Sequence, residues 1–229
     1  MVFMESIFWN VRSAKGSEKQ LDLSRFLKTH NPAIVSLLET KLDTTSLQAL
    51  EKKLNFLNSS FLSSDGRICI LWNKDLVDVT VVGHSTQHVH CKVLCKKTQL
   101  ILHSTTVYAS NIFSEHLMLW RTLCSLSSGL NASPWVVGGD FNVVRFSSEK
   151  VGGRPVHARR LHKFNSCLEH SSLQDLKAYG HTLSWNNRQD LRIWCRLDRV
   201  LGQLPPEIIT GRDLPAPKIS ADVAYFRRL

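Results

Sequence analysis

Asp140 and Asn142 follow an apolar run that ends in two glycines, Trp135-Val136-Val137-Gly138-Gly139. A β-strand that stops this way delivers a carboxylate and a carboxamide, two residues apart, to one edge of a sheet. There they can engage one small polar target: a phosphate, a water or a hard cation. Four further polar residues end strand-like runs elsewhere. Asn10 closes the first such run and Glu39 the second; Tyr108 closes a later one, and Asp198 stands in Arg196-Leu197-Asp198-Arg199. Carboxylates joined by carboxamides and a phenol suit Mg²⁺, which keeps several waters and takes one or two protein carboxylates. They also suit in-line attack on a phosphodiester, where a metal neutralises charge and a carboxylate activates water. Each residue alone has an ordinary alternative: a surface charge for Glu39 or Asp198, a turn former for Asn10, a strand aromatic for Tyr108. The chemistry requires all six to converge.

Convergence depends on the elements that carry them. Ser6–Val11 and Ile34–Leu38 read as short apolar strands, with a helix over Leu21–Leu27 between them that Pro32 stops. A second helix spans Leu47–Leu57. Four β-type runs then follow at hairpin spacing, as in an antiparallel sheet: Arg67–Trp72, Leu76–Val82, His88–Leu94 and Leu100–Tyr108. Ser114–Leu126 is amphipathic, Trp135–Gly139 is a strand, and Ala158–Leu168 is a basic helix. Short strands are expected around Leu183-Ser184-Trp185 and over Ile193–Leu201. Helices interleaved with mostly antiparallel strands predict an α/β (α+β) sandwich of two packed sheets with helices outside, four layers in all.

The whole chain bounds the partners. Its 229 residues suit one large domain or two small ones, and 43% apolar content supports a folded core. No stretch has the apolar length that crosses a bilayer, and the first twelve residues turn polar too soon for a secretion signal. An intracellular protein without a membrane partner is expected, and nothing points to an obligate oligomer. The six cysteines are scattered through apolar runs, as reduced buried thiols are. In His88-Val89-His90-Cys91-Lys92-Val93-Leu94-Cys95 the histidines share one face of a strand and the cysteines the other, so four ligands cannot converge on zinc. Formal net charge is +10, which favours polyanionic partners, DNA foremost and RNA as the alternative. Arg154, Arg159, Arg160 and Lys163 form one basic cluster, and Arg188, Arg192, Arg196 and Arg199 another. Both flank the polar residues, which favours a phosphate-bearing substrate.

In order along the chain, Trp9-Asn10-Val11-Arg12, Glu39-Thr40-Lys41, Val107-Tyr108, Gly139-Asp140-Phe141-Asn142, Leu183-Ser184-Trp185 and Arg196-Leu197-Asp198-Arg199 resemble the endonuclease/exonuclease/phosphatase (DNase I-like) superfamily. The wording is nearest the nuclease domain of plant LINE-type non-LTR retrotransposons, which Gly66–Asn73 and Gln87–Cys91 also resemble. The resemblance covers about residues 5–202. It implies the two-sheet sandwich already read from the pattern, a Mg²⁺ cofactor with Mn²⁺ as substitute, and a DNA substrate reached in the nucleus. Glu39 would hold the ion with Asn10 beside it. Asp140 would orient or deprotonate the attacking water, and Asn142 would bond the scissile phosphate. Tyr108 would contact the phosphate or leaving oxygen. Asp198 would orient a phosphate-contacting histidine, and Ser184 stands where a threonine near the DNA is usual. The basic residues Arg154, Arg159, Arg160, Lys163 and Arg196 would meet the nucleic acid.

The sequence departs from that pattern in two places. Ser13 replaces the glycine usual after the Arg12 position. The last family motif, Ser-Asp-His, has no full counterpart: no histidine follows His181, and the nearest segment is Ile219-Ser220-Ala221-Asp222-Val223. Residues 203–229 therefore read as a divergent tail, with the final strand missing or altered and one sheet edge left unpaired. A C-terminally truncated retroelement nuclease of weak or lost activity is one expectation. A basic nucleic-acid binder without catalysis, an inositol- or lipid-phosphate phosphatase, and a decayed reading frame without a stable product are the competing ones.

Overall fold

The computed structural model describes residues 5–54, 59–130, 133–176 and 183–203 in full and the backbone of 223–227. Two large sheets pack face to face. The first has the order β14-β1-β2-β4-β3, with β1 at Glu5–Asn10, β2 at Ile34–Leu38, β3 at Ser59–Leu62, β4 at Ile68–Trp72 and β14 at Val223–Arg227. The second has the order β10-β13-β8-β7-β6-β5. Here β5 is Val77–His84, β6 His88–Cys95, β7 Ile101–Tyr108, β8 Trp135–Asp140, β10 Gln174–Asp175 and β13 Asp198–Gln203. A small third sheet joins β9 (Lys150–Val151), β11 (Trp185–Asn186) and β12 (Trp194–Cys195).

Helices α1 (Ser17–His30) and α2 (Thr44–Leu54) cover the outer face of the first sheet. Leu23, Leu27, Leu47 and Leu50 pack there on Ile7, Trp9, Val35 and Leu37. Helices α3 (Phe113–Gly129) and α4 (Ala158–His170) cover the second, with Trp120, Leu123 and Phe164 against Trp135, Val137 and Leu201. Between the sheets lie Ile34, Leu38, Ile68 and Ile70 on Val89, Cys91, Val93 and Leu102. The four-layer α/β sandwich expected from the sequence is thus the fold. Among the described residues no helix is long and apolar enough to cross a membrane.

Strand parity decides which side chains face inward. In β1, Ile7 and Trp9 point to the helices, so Phe8 and Asn10 point to the other sheet. In β8, Trp135 and Val137 point to the helices, so Gly138 and Asp140 point inward. Phe8 sits against Gly138 so closely that a Cβ there would lie 2.4 Å from its ring. Ser36 of β2 and Thr106 of β7 share a hydrogen bond of 2.7 Å across the same gap. Glycine at 138 is therefore what lets the two sheets approach at this point.

Two expectations change. The four β runs do not form one antiparallel sheet: β4 pairs with β2 and β3, and only β5, β6 and β7 lie in the second sheet. Ile68 to Leu71 are buried on both faces, as suits an interior strand, and the Asn73–Asp75 turn then passes the chain across. Pairing is otherwise mostly antiparallel, as expected, with β1–β2 and β7–β8 the parallel pairs among the described residues. The altered chain end is expected to leave one sheet edge unpaired, and beside β1 it does not. Strand β14 pairs with β1 antiparallel, from Glu5↔Arg227 to Trp9↔Val223, so the final strand is altered in sequence and present in position. The physical reason is that β1 is buried along its whole length, and its backbone groups need a partner there. Asp222 lies outside the described residues.

Replacing Gly138 with valine forces Phe8 out of its seat. Chemical denaturation should show a loss of about 2–3 kcal/mol, in the range of core overpacking; a loss below about 0.5 kcal/mol would contradict close inter-sheet contact at this residue.

Candidate active site

The same parity brings the polar strand ends together. Two residues beyond the Phe8–Gly138 contact, Asn10 Nδ2 donates to Asp140 Oδ2 at 3.2 Å, joining positions 130 apart in the chain. Asp140 Oδ1 accepts the backbone N–H of Asn142 at 2.9 Å. Asn10 Oδ1 accepts the N–H of Arg12 at 3.1 Å, and Asn142 Nδ2 donates to the Ala109 carbonyl at 2.6 Å. Within the second sheet, Tyr108 pairs in register with Asp140, and Asp140 with Asp198. Asn10 and Leu38 are likewise in register, so Glu39 emerges at the same rim. Asn10, Glu39, Tyr108, Asp140, Asn142 and Asp198 thus share one end of the sandwich.

Backbone strain concentrates here. Arg12 (φ 50°), Ser13 (φ 103°), Glu39 (φ 55°), Lys41 (φ 55°) and Asn142 (φ 49°) all turn just past the strand ends in left-handed conformations. Non-glycine residues adopt such angles at a cost of about 1–3 kcal/mol, held by surrounding contacts. At Ser13 those contacts include its N–H to the Glu39 carbonyl at 2.8 Å. Gly139 (φ 136°) lies where a Cβ would meet the Val107 carbonyl oxygen at 2.0 Å, so no other residue fits.

The electrostatics match the geometry. Burial raises the Asp140 carboxyl to about 6, against the hydrogen bonds from Asn142 and Asn10, and the Glu39 charge adds to the rise. Burial, with the charges of Glu39 and Asp140, pushes the Tyr108 phenol up to about 12, so it is a neutral O–H donor near pH 7. Two carboxylates that raise each other's neighbours make a site that a divalent cation would relieve. The donors fit one: hard oxygens from Glu39, Asp140 and the Asn10 carboxamide. Glu39 is partly open to solvent and 3.7 Å from the Lys41 ammonium. Among the described residues no three His, Cys, Asp or Glu side chains form a cage. Mg²⁺ needs none, since most of its ligands are water and substrate oxygens.

Two clefts flank this rim. One, of about 420 Å³, is lined by Glu39, Tyr108, Lys15, Lys41, Asp65 and Arg67. The other, of about 410 Å³, opens beside Asn142 and contains Lys150, His157 and Arg160. Lys15 of the first and Lys150 and His157 of the second belong to no motif. Only the sandwich topology collects them.

The basic clusters separate in space. Arg154, Arg159, Arg160 and Lys163 are exposed, and Arg160 stacks on Phe113 at 5.2 Å. Arg196 is instead committed internally, 3.4 Å from both Glu149 and Asp175. Arg199, fully buried, pairs with the same two carboxylates, and Arg145 reaches Asp175 at 2.6 Å. Burial would raise Asp175, yet the guanidiniums of Arg199, Arg145 and Arg196 hold it below the usual carboxylate range. The outward, phosphate-facing role expected of Arg196 therefore competes with an ion network. Ser184 is buried, and its hydroxyl accepts the N–H groups of Leu197 and Asp198 at 3.2 and 3.1 Å. It holds the start of β13, and thereby Asp198, in place. His90 bonds Thr105 at 2.7 Å and lies 3.2 Å from His103, on the helix side with Trp135, while Cys91 and Cys95 face the inter-sheet core.

The endonuclease/exonuclease/phosphatase family matches residues 7–217. The chain belongs to that family. Among curated proteins no sequence matches. Among solved structures, the family member is similar to the endonuclease domain of TRAS1, a telomere-specific non-LTR retrotransposon, at 14% identity and a TM-score of 0.66, covering 99% of this chain and 98% of that one. It is similar to the AP endonuclease LMAP from Leishmania major at 12% identity and a TM-score of 0.68, covering 99% and 87%. It is also similar to the 3′ phosphatase NExo from Neisseria, solved with a product DNA hairpin, at 15% identity and a TM-score of 0.67, covering 99% and 98%. At such identities the likeness concerns the fold.

Ser13→Gly relieves the φ of 103° and gives up only one long contact, from the Lys15 N–H to Ser13 Oγ at 3.4 Å. It should raise stability by about 1 kcal/mol in thermal unfolding, and a fall would contradict the strain assigned to this turn.

Proposed function

We propose that this family member is a divalent-cation-dependent phosphodiesterase that nicks DNA, descended from a plant LINE-type retrotransposon nuclease, and working slowly. The observation that carries the reading is the Asn10–Asp140 hydrogen bond, which seats a buried carboxylate, a carboxamide and Glu39 around one point. Glu39 and Asn10 would hold Mg²⁺, which supplies charge neutralisation at the phosphate and a more acidic water. Asp140, oriented by Asn10 and by the Asn142 N–H, accepts the proton of the attacking water. Asn142 spends one amide hydrogen on Ala109 and keeps the other for a phosphate oxygen. The neutral Tyr108 phenol donates toward the leaving oxygen. Substrate passing from the Arg67 cleft to the Arg160 cleft crosses Asp140, and the exposed Arg154, Arg159 and Lys163 extend the positive surface beyond it. The TRAS1 likeness supports the retroelement descent, and the DNA held by the Neisseria relative supports DNA as substrate.

The slow rate rests on Ile219–Val223, which holds no histidine where the family's Ser-Asp-His would place one; a missing phosphate-contacting or proton-transferring side chain costs about 10²–10⁴ in rate. The exposed bases of α4 favour a second reading, DNA binding without cleavage, which would show a steep loss of affinity with salt.

Supercoiled plasmid with Mg²⁺ separates the two. Slow nicking is expected, lost in Asp140→Ala, and falling as pH drops through about 6 because Asp140 takes up its proton. Nicking that survives Asp140→Ala, or binding of the plasmid with no nicking, overturns the hydrolase.

A further inference from the structure

Helices α3 and α4 meet along a seam that the chemistry above leaves unused. Small polar side chains build it: Cys124 and Ser127 on α3, Cys167 on α4, and Ser171 at the end of α4. Ser127 Oγ donates to the Ser171 carbonyl at 3.1 Å, and Cys167 Sγ donates to the Trp120 carbonyl at 3.6 Å. A side chain with one carbon and one heteroatom thus reaches the backbone of the other helix. Trp120 and Ser127 lie one turn either side of Cys124, so the helices run close at that residue. There the sulfurs of Cys124 and Cys167 are 4.0 Å apart. A disulfide brings them to about 2.05 Å, and the difference is within the sweep of a cysteine χ1 rotation.

The two thiols differ in exposure, and that difference orders the events. Cys124 is half-buried, while Cys167 and the other four cysteines are buried. An oxidant arriving from solvent therefore meets Cys124 first. Ser171 Oγ donates to Cys124 Sγ at 3.6 Å, which keeps that sulfur in the seam. Burial, with Cys124 beside it, pushes the Cys167 thiol up. Cys167 thus stays protonated and inert toward solvent, and reacts only with a sulfur already against it.

We propose that Cys124 and Cys167 form a dithiol that hydroperoxides oxidise to a disulfide, stapling α3 to α4. Cys124 sulfur attacks one peroxide oxygen and the O–O bond breaks, leaving a sulfenic acid and an alcohol, or water from hydrogen peroxide. Cys167 sulfur then attacks the sulfenic sulfur. The S–S bond forms, the S–O bond breaks, and the hydroxyl leaves as water with the Cys167 proton. Two thiols have lost two electrons, and the peroxide has gained them. The link joins positions 43 apart, and the loop it closes carries β8, Asp140 and Asn142. Oxidation therefore restricts the unfolded chain around those residues. Nothing in this inference depends on nuclease activity.

Hydrogen peroxide added to the reduced full chain tests it, read by mass spectrometry of a non-reducing digest and by thermal unfolding. A linked pair of peptides holding Cys124 and Cys167, lighter by two hydrogens than its parts, is expected. Tm should rise by about 5–10 °C, and dithiothreitol should reverse both changes. Cys167→Ser should remove the linked pair and the rise together; Cys124→Ser, at the less buried position, gives the same control should that variant melt early. Cys124 found as a sulfinic acid, or joined to another cysteine or a second molecule, with Cys167 still a free thiol, overturns the proposal. So does a linked form that melts no higher than the reduced one.

Discussion

The contact between Asn10 and Asp140 is the constraint on which the rest of this architecture depends. It joins two sheets, and it forms only because each strand turns the right alternate residue inward. One step back along both strands, Phe8 occupies the space that Gly138 leaves vacant, and this close packing sets the distance at which the two polar ends meet. A carboxylate as buried as Asp140 is costly in a protein interior. Asn10 and the Asn142 N–H offset part of that cost, while Glu39 adds to it. The balance leaves a site rich in the oxygen donors that a hard cation takes. Stability has been exchanged for a poised carboxyl.

Behind this rim lies a second polar assembly of different character. Arg145, Arg196 and Arg199 meet Glu149 and Asp175 under α4. Glu149 also accepts the Arg145 N–H at 2.6 Å, so the same carboxylate ties the loop after β8 to the start of β13. Replacing such a network by apolar residues is often neutral, whereas removing one partner strands a buried charge. Its evident consequence here is positional: β13 brings Asp198 into register with Asp140, and Ser184 fixes the two amides that precede the strand.

The sequence made the strand ends legible because the signal is local. An apolar run that closes on Asn10, Glu39, Tyr108 or Asp140 announces both the element and its final residue, and two-residue periodicity fixes the face. Helix α4 was legible for the same reason. What escaped is non-local. Nothing in Arg67–Trp72 says that this run leaves its successors and joins the other sheet. Ser59–Leu62 has neither alternation nor length. Arg196 looks like any surface arginine until Asp175 and Glu149 arrive from distant segments. The chain's end lacks the family's wording, yet the buried backbone of β1 recruits it as β14. The Asn142 cleft draws on well-separated stretches, from His116 to Leu197, and only the fold brings them to one place.

Anomalous diffraction from a crystal grown with Mn²⁺ tests the central claim most directly. The account predicts one principal peak at the strand-end rim, with oxygens of Glu39 and Asn10 as its protein contacts or one water removed from them, and its loss in Glu39→Gln. A peak elsewhere, or one at the rim that Glu39→Gln leaves intact, would contradict it.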